Sequence, residues 1–84
     1  MGLKIRLNWY DKETELGVGK EYSADLFEDG SVIKALGLMA EPEIYDGGFD
    51  VLAIWIPHLQ PLFNHQIEPA VFDYQISFRY RSIW

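Results

Sequence analysis

The sequence predicts an α+β domain: a four-stranded antiparallel sheet with one short helix packed on one face, in the order β-β-α-β-β. Three observations carry this expectation. Residues 3–10 and 71–81 alternate apolar and polar side chains with period two, the mark of a strand with one buried face. Residues 31–37 hold a compact helix signal, a serine ahead of four apolar residues and a closing glycine. The chain has 84 residues, 49% of them hydrophobic and 15% aromatic, with no cysteine, so one domain has to be held by an aromatic-rich core without disulfides.

In the first strand Leu3, Ile5, Leu7 and Trp9 point inward, and Lys4, Arg6, Asn8 and Tyr10 outward. Residues 11–19 are polar with Gly17 and Gly19 and read as a turn. A second strand over 20–26 would return with Tyr22, Ala24 and Leu26 inward. Glu28-Asp29-Gly30 ends it, Ser31 can cap a helix carrying Val32, Ile33, Ala35 and Leu36, and Gly37 can close that helix in a left-handed conformation. After a loop over 38–48, FDVLAIWI at 49–56 reads as the third strand. Phe49, Val51, Ala53 and Trp55 face inward, Asp50, Leu52, Ile54 and Ile56 outward, and Pro57 stops it. Residues 57–70 form a connection with a turn of helix. The fourth strand places Phe72, Tyr74, Ile76, Phe78 and Tyr80 inward and Asp73, Gln75, Ser77, Arg79 and Arg81 outward.

The formal net charge is −6 and is unevenly spread: residues 11–50 hold eleven acids against three lysines, while the two ends are mildly basic. Such a surface repels nucleic acid and membranes and attracts basic proteins, or serves solubility alone. No apolar run reaches the roughly 20 residues of a membrane span, and Met1-Gly2-Leu3-Lys4 leads into a strand pattern, not a secretion signal. The cytoplasm is the expected location.

Chemistry finds little support. His58 and His65 stand seven apart across Pro61, without the short spacing or the third ligand of a zinc site. Nothing selects a partner for either as an acid–base catalyst. Gly17-Val18-Gly19-Lys20 lacks the spacing of a phosphate loop. No catalytic, cofactor or metal residue is therefore expected, and His65, beside Asn64 and Gln66, reads as a hydrogen-bonding element of the connection. The outward rows contain Arg6, Asn8, Tyr10, Asp50, Leu52, Ile54, Gln75, Ser77, Arg79 and Arg81. That mixture suits a binding face, since aromatic and arginine anchors dominate interfaces, and equally a solvated face with stray apolar residues.

Four stretches, MGLKIRLNWYDKET, EYSADLFEDGSVIKALG, GGFDVLAIWIPHLQPLFNHQI and YQISFRYR, together resemble the cloacin and ribonuclease-colicin immunity protein family over nearly the whole chain. The resemblance implies a small FKBP-like antiparallel sheet on a short helix. It also implies tight one-to-one binding to the ribonuclease domain of a cognate bacteriocin, typically an enzyme that cleaves ribosomal RNA, with no direct nucleic-acid or membrane binding. The family's interface uses the outer sheet face and the adjoining acidic loop. Carried onto this chain, it takes in Arg6, Asn8, Tyr10, Glu13, Glu15, Lys20, Glu21, Gly48, Asp50, Leu52, Ile54, Gln75, Ser77 and Arg79.

Several positions depart from the family's pattern. Gly48 stands at a position linked to discrimination between toxins and offers no side chain. Gly17 and Gln75 stand where an aromatic is expected. Arg6, Lys20 and Arg79 are positive where relatives tend to be acidic, and Ile54 is apolar where a polar residue is expected. These changes imply a toxin with a different matching surface. Two other functions compete: a homodimeric or adaptor module built on the outer face with Leu52 and Ile54, and a small RNA-processing enzyme using His58 or His65.

Overall fold

A computed structural model describes residues 2–26, 31–39, 44 and 47–81, the last of these by its backbone. Four strands, β1 (Gly2–Asp11), β2 (Gly17–Tyr22), β3 (Gly48–Asp50) and β4 (Phe72–Arg81), form one antiparallel sheet in the order β2-β1-β4-β3. The two long, cleanly alternating segments are the central strands, which pair along their full length from Gly2–Arg81 to Asp11–Phe72.

One face of the sheet is covered. Leu3, Ile5 and Leu7 of β1 and Tyr74, Ile76 and Phe78 of β4 are buried under Ile33 and Leu36 of the helical segment and Trp55, Leu59, Phe63 and Ile67 of the connection before β4. Helix α1 (Ser31–Ala35) ends as its glycine foretells. Gly37 takes φ +77°, Leu38 N–H donates to Ile33 O, and Gly37 N–H donates to Lys34 O, both at 3.0 Å. These paired bonds satisfy carbonyls that a bare helix end would leave open.

The first hairpin departs from expectation. Its turn is shorter, because the Asp11 carboxylate accepts the N–H groups of Glu13 (2.8 Å) and Thr14 (2.9 Å), and Glu15 takes φ +60°. Strand β2 therefore starts at Gly17, and Trp9 pairs with Gly19. A β-carbon at Gly19 would come within 2.6 Å of the Trp9 ring, so only glycine admits the indole there. This register places Glu21 inward and Tyr22 outward, the reverse of the expected assignment. Residues beyond β2 still follow β1: Ser23 N–H donates to Ile5 O, and Leu26 N–H to Leu3 O, each at 2.8 Å.

The third strand is also shorter than expected. It ends at Asp50, with one further bond from Val51 N–H to Tyr74 O at 3.1 Å. The chain then turns through a 3-10 segment (Ala53–Trp55), a second short helix, α2 (Ile56–Leu59), and another 3-10 turn (Gln60–Leu62). Leu52 and Ile54 thus lie off the sheet, and the one-helix order becomes β-β-α-β-α-β with 3-10 turns flanking the second helix. Pro57 accounts for much of this, since its missing N–H is a fault in a ladder but harmless in a first helical turn. No described helix is long and apolar enough to cross a membrane.

Candidate functional site

Among the described residues no helix covers the second face of the sheet. Directly paired residues of antiparallel strands share a face, so the register lays out its side chains. One row crosses all four strands as Tyr22, Arg6, Ser77 and Gly48; a second crosses as Lys20, Asn8, Gln75 and Asp50. Lys4 and Arg79 flank the first row, and Tyr10 with Asp73 flanks the second. Nine of the expected contact residues, Arg6, Asn8, Tyr10, Lys20, Gly48, Asp50, Gln75, Ser77 and Arg79, are therefore gathered on one surface.

The other five are placed differently. Glu13 and Glu15 are exposed in the β1–β2 turn, at the margin of this face. Leu52 and Ile54 are exposed, at 50% and 74%, beyond the end of β3. Glu21 lies on the opposite face, where its carboxylate accepts the backbone N–H groups of Asn64 and His65, each at 2.9 Å. Its charge is used to hold the connection, which the second-strand assignment from sequence had no means of revealing.

Charge divides the outer face. At one end stand Arg6, Lys20 and Arg79. Their effect is visible at Tyr22, whose phenol lies below its ordinary pKa, first because it hydrogen-bonds Arg6 and then through the positive charges of Arg6, Lys20 and Arg79. Tyr22 belongs to this surface although its alternation had suggested the core. The Trp9–Gly19 pairing is the sequence signal that could have found it, because a large indole calls for a glycine opposite. At the other end Tyr10, Glu15, Asp50, Asp73 and Gln75 border a cavity of about 360 Å³. Here Gln75 Nε2 donates to Asp50 Oδ1 at 3.1 Å, and Lys12 Nζ reaches Asp73 Oδ1 at 2.9 Å.

The histidines behave as parts of the architecture. The His65 ring stacks on Trp9, with centroids 3.8 Å apart and planes 9° from parallel. Its Nε2 lies 2.8 Å from the Tyr74 hydroxyl, which also accepts the Glu68 N–H at 2.8 Å. Gln60 closes the same loop, with Nε2 donating to His65 O at 2.8 Å and Oε1 accepting Ile67 N–H at 2.7 Å. A histidine with stacking, hydrogen-bonding and backbone groups all committed is a brace. His58 is exposed on α2. Among the described residues no three His, Asp or Glu side chains come together as a metal would need.

The outer face thus presents bifunctional polar groups, two tyrosines, four cations and an acidic margin on the sheet, and among the described residues no nucleophile is held beside a base on it. Such a surface can recognise a shaped, charged protein partner. A family model described as cloacin immunity protein matches residues 2–81.

Proposed function

Because the chain belongs to the cloacin immunity protein family, and is thereby a bacteriocin immunity protein that inhibits its toxin, we propose that it does so by binding the toxin's cytotoxic ribonuclease domain one-to-one through the outer sheet face. The cognate enzyme on this reading cleaves ribosomal RNA. The inhibitor acts in the cytoplasm of the producing cell and leaves it in complex with the toxin. It hinders approach to the ribosome by bulk and charge and supplies no chemistry of its own.

The observation that carries the proposal is the uncovered face itself: two side-chain rows spanning all four strands, with Arg6, Tyr10, Lys20 and Arg79 among them. Arginine and tyrosine are the residues most often found as binding anchors, and a sheet braced from behind presents them with little ordering cost. Glu13 and Glu15 at its margin favour encounter with a basic nuclease.

The test is a pull-down and calorimetric titration with the nuclease domain encoded beside this protein's gene, followed by a ribosome-cleavage assay. A one-to-one complex, weakened by salt and abolishing cleavage, is expected. An active, folded nuclease that does not bind would overturn the proposal. Light scattering over a concentration series addresses the homodimer alternative, for which Leu52 and Ile54 now offer an apolar patch beside the sheet and not on it.

A further inference from the structure

We propose that the cavity around Arg6, Ser77 and Arg79 seats one aspartate or glutamate side chain presented by the bound toxin domain. This rests on the toxin-binding reading above and names the chemistry that reading leaves open.

The cavity, about 440 Å³, opens on the outer face, and Arg6, Asn8, Gly48, Gln75, Ser77 and Arg79 are among the residues that line it. Ser77 lies in the first cross-strand row, between Arg6 and Gly48. It is only 5% exposed, yet its hydroxyl makes no hydrogen bond among the described residues. The Nε–H of Arg6 is likewise buried and has no partner among them. Buried donors are almost always satisfied, because leaving one unmade forfeits its hydration for nothing. Two such donors on residues that line one cavity, beside a second half-buried cation that forms no salt bridge among the described residues, describe a place that lacks an acceptor.

A carboxylate supplies what is missing. Its two oxygens lie in one plane, so one can take a guanidinium N–H and the other the Ser77 hydroxyl, while both arginines neutralise its charge. Gly48 keeps the cavity open: a β-carbon there would meet only Gln75 Oε1, at 3.4 Å, Ile76 O, at 3.8 Å, and Gln75 Cδ, at 4.0 Å. A nucleic-acid backbone fits less well. Phosphates repeat along a strand, and the neighbouring ones would run onto Asp50, Asp73 and Glu15 at the other end of the same face. A lone carboxylate on a protein surface meets no such repulsion.

The test compares toxin-domain affinity for the wild type, Arg6→Gln/Arg79→Gln, Gly48→Glu and, as a charge control on α1, Lys34→Gln. Circular dichroism verifies that each variant folds. The double glutamine variant should lose about 30-fold or more in affinity, as expected when a buried carboxylate loses its partners. Gly48→Glu should also weaken binding, because it places a carboxylate of the chain's own in the cavity, and should raise the unfolding midpoint. Lys34→Gln should match the wild type. On the toxin, replacing each aspartate and glutamate by its amide should reveal one position whose loss is not additive with the double glutamine variant. If the wild type binds and the double variant stays within about 3-fold, this inference falls while the toxin-binding reading stands. If the wild type does not bind, both fall. If a single-stranded RNA oligonucleotide binds the free protein and loses affinity in the double variant, phosphate replaces carboxylate as the occupant and the proposal is overturned.

Discussion

Replacing His65 by alanine tests the brace behind the outer sheet face, and its cost can be worked from the contacts it removes. The buried Tyr74 hydroxyl accepts Glu68 N–H and shares a second hydrogen bond with His65 Nε2 at 2.8 Å. Removing the ring leaves the buried hydroxyl without this partner, a cost of about 1–3 kcal/mol. The Trp9 stack at 3.8 Å adds about 0.5–1.5 kcal/mol beyond the buried area. The backbone bonds of residue 65 to Glu21 and Gln60 survive the substitution, so the loss belongs to the side chain. The expected total is about 1.5–4.5 kcal/mol, or a fall in thermal midpoint of roughly 6–36 °C for a domain of this size. Far-UV circular dichroism is the assay, since tryptophan fluorescence would respond to the lost stack itself. A double-mutant cycle with Tyr74→Phe should return a coupling of about 1 kcal/mol or more. A midpoint within about 2 °C of the wild type, or an additive cycle, would refute the brace.

Three further outcomes follow from the same geometry. Gly19→Ala forces a β-carbon against the Trp9 ring at 2.6 Å and should lower stability by about 1–3 kcal/mol in urea unfolding; an unchanged midpoint would mean that the indole is free to move aside. Burial raises the Tyr74 phenol above the ordinary tyrosine value of 10.0, so its contribution is complete below that pH and is lost as pH rises through the folded value; Tyr74→Phe should flatten stability against pH in that alkaline range, and an unaltered slope would contradict this. Tyr22, held down by its bond to Arg6 and by nearby cations, should titrate below the ordinary tyrosine value of 10.0 in an NMR pH series, and Arg6→Gln should move it back up.

How far the sequence could be read depended on how sharply each segment alternates. In β1 and β4, polar residues stand between nearly all the apolar ones, so the period assigns both faces and the outer positions from Lys4 to Tyr10 and from Asp73 to Arg79 fall where expected. Residues 51–56 are apolar throughout, so their pattern cannot separate a strand from a packed helical turn, and Leu52 and Ile54 were expected on the sheet for that reason. The second strand was missed by register: Gly17 and Gly19 look like turn residues, yet they pair with Tyr10 and Trp9. A slip of one position reverses every side chain, which is how Glu21 came to be expected on the outer face and Tyr22 in the core. The expected helix boundary acids Glu28 and Asp29, and the loop acids Glu41, Glu43 and Asp46, lie outside the described residues. The buried hydroxyl of Ser77 left no trace in the sequence, because its burial comes from neighbours on two other strands.

The division of charge on the outer face bears on how an acidic inhibitor can be selective. A net charge of −6 draws in any basic protein, and by itself would not distinguish one basic toxin from another. Selection has to come from groups that penalise the wrong partner at contact, and half-buried cations beside an unmet donor do so. Arg6 and Arg79 stand at one end of the surface, and Glu15, Asp50 and Asp73 border the other. A basic patch docked over the arginines without a carboxylate would meet like charge and leave Ser77 and Arg6 Nε unpaired. The acidic end and the cationic end therefore act on different steps of binding. Adding salt should slow association through the first, with screening effective beyond about 8 Å at physiological ionic strength. Arg6→Gln/Arg79→Gln should instead speed dissociation of the matched toxin while improving affinity for unmatched basic toxins. Stopped-flow kinetics separates the two, and a double variant that changed only the association rate would show that the two arginines steer the partner and do not select it.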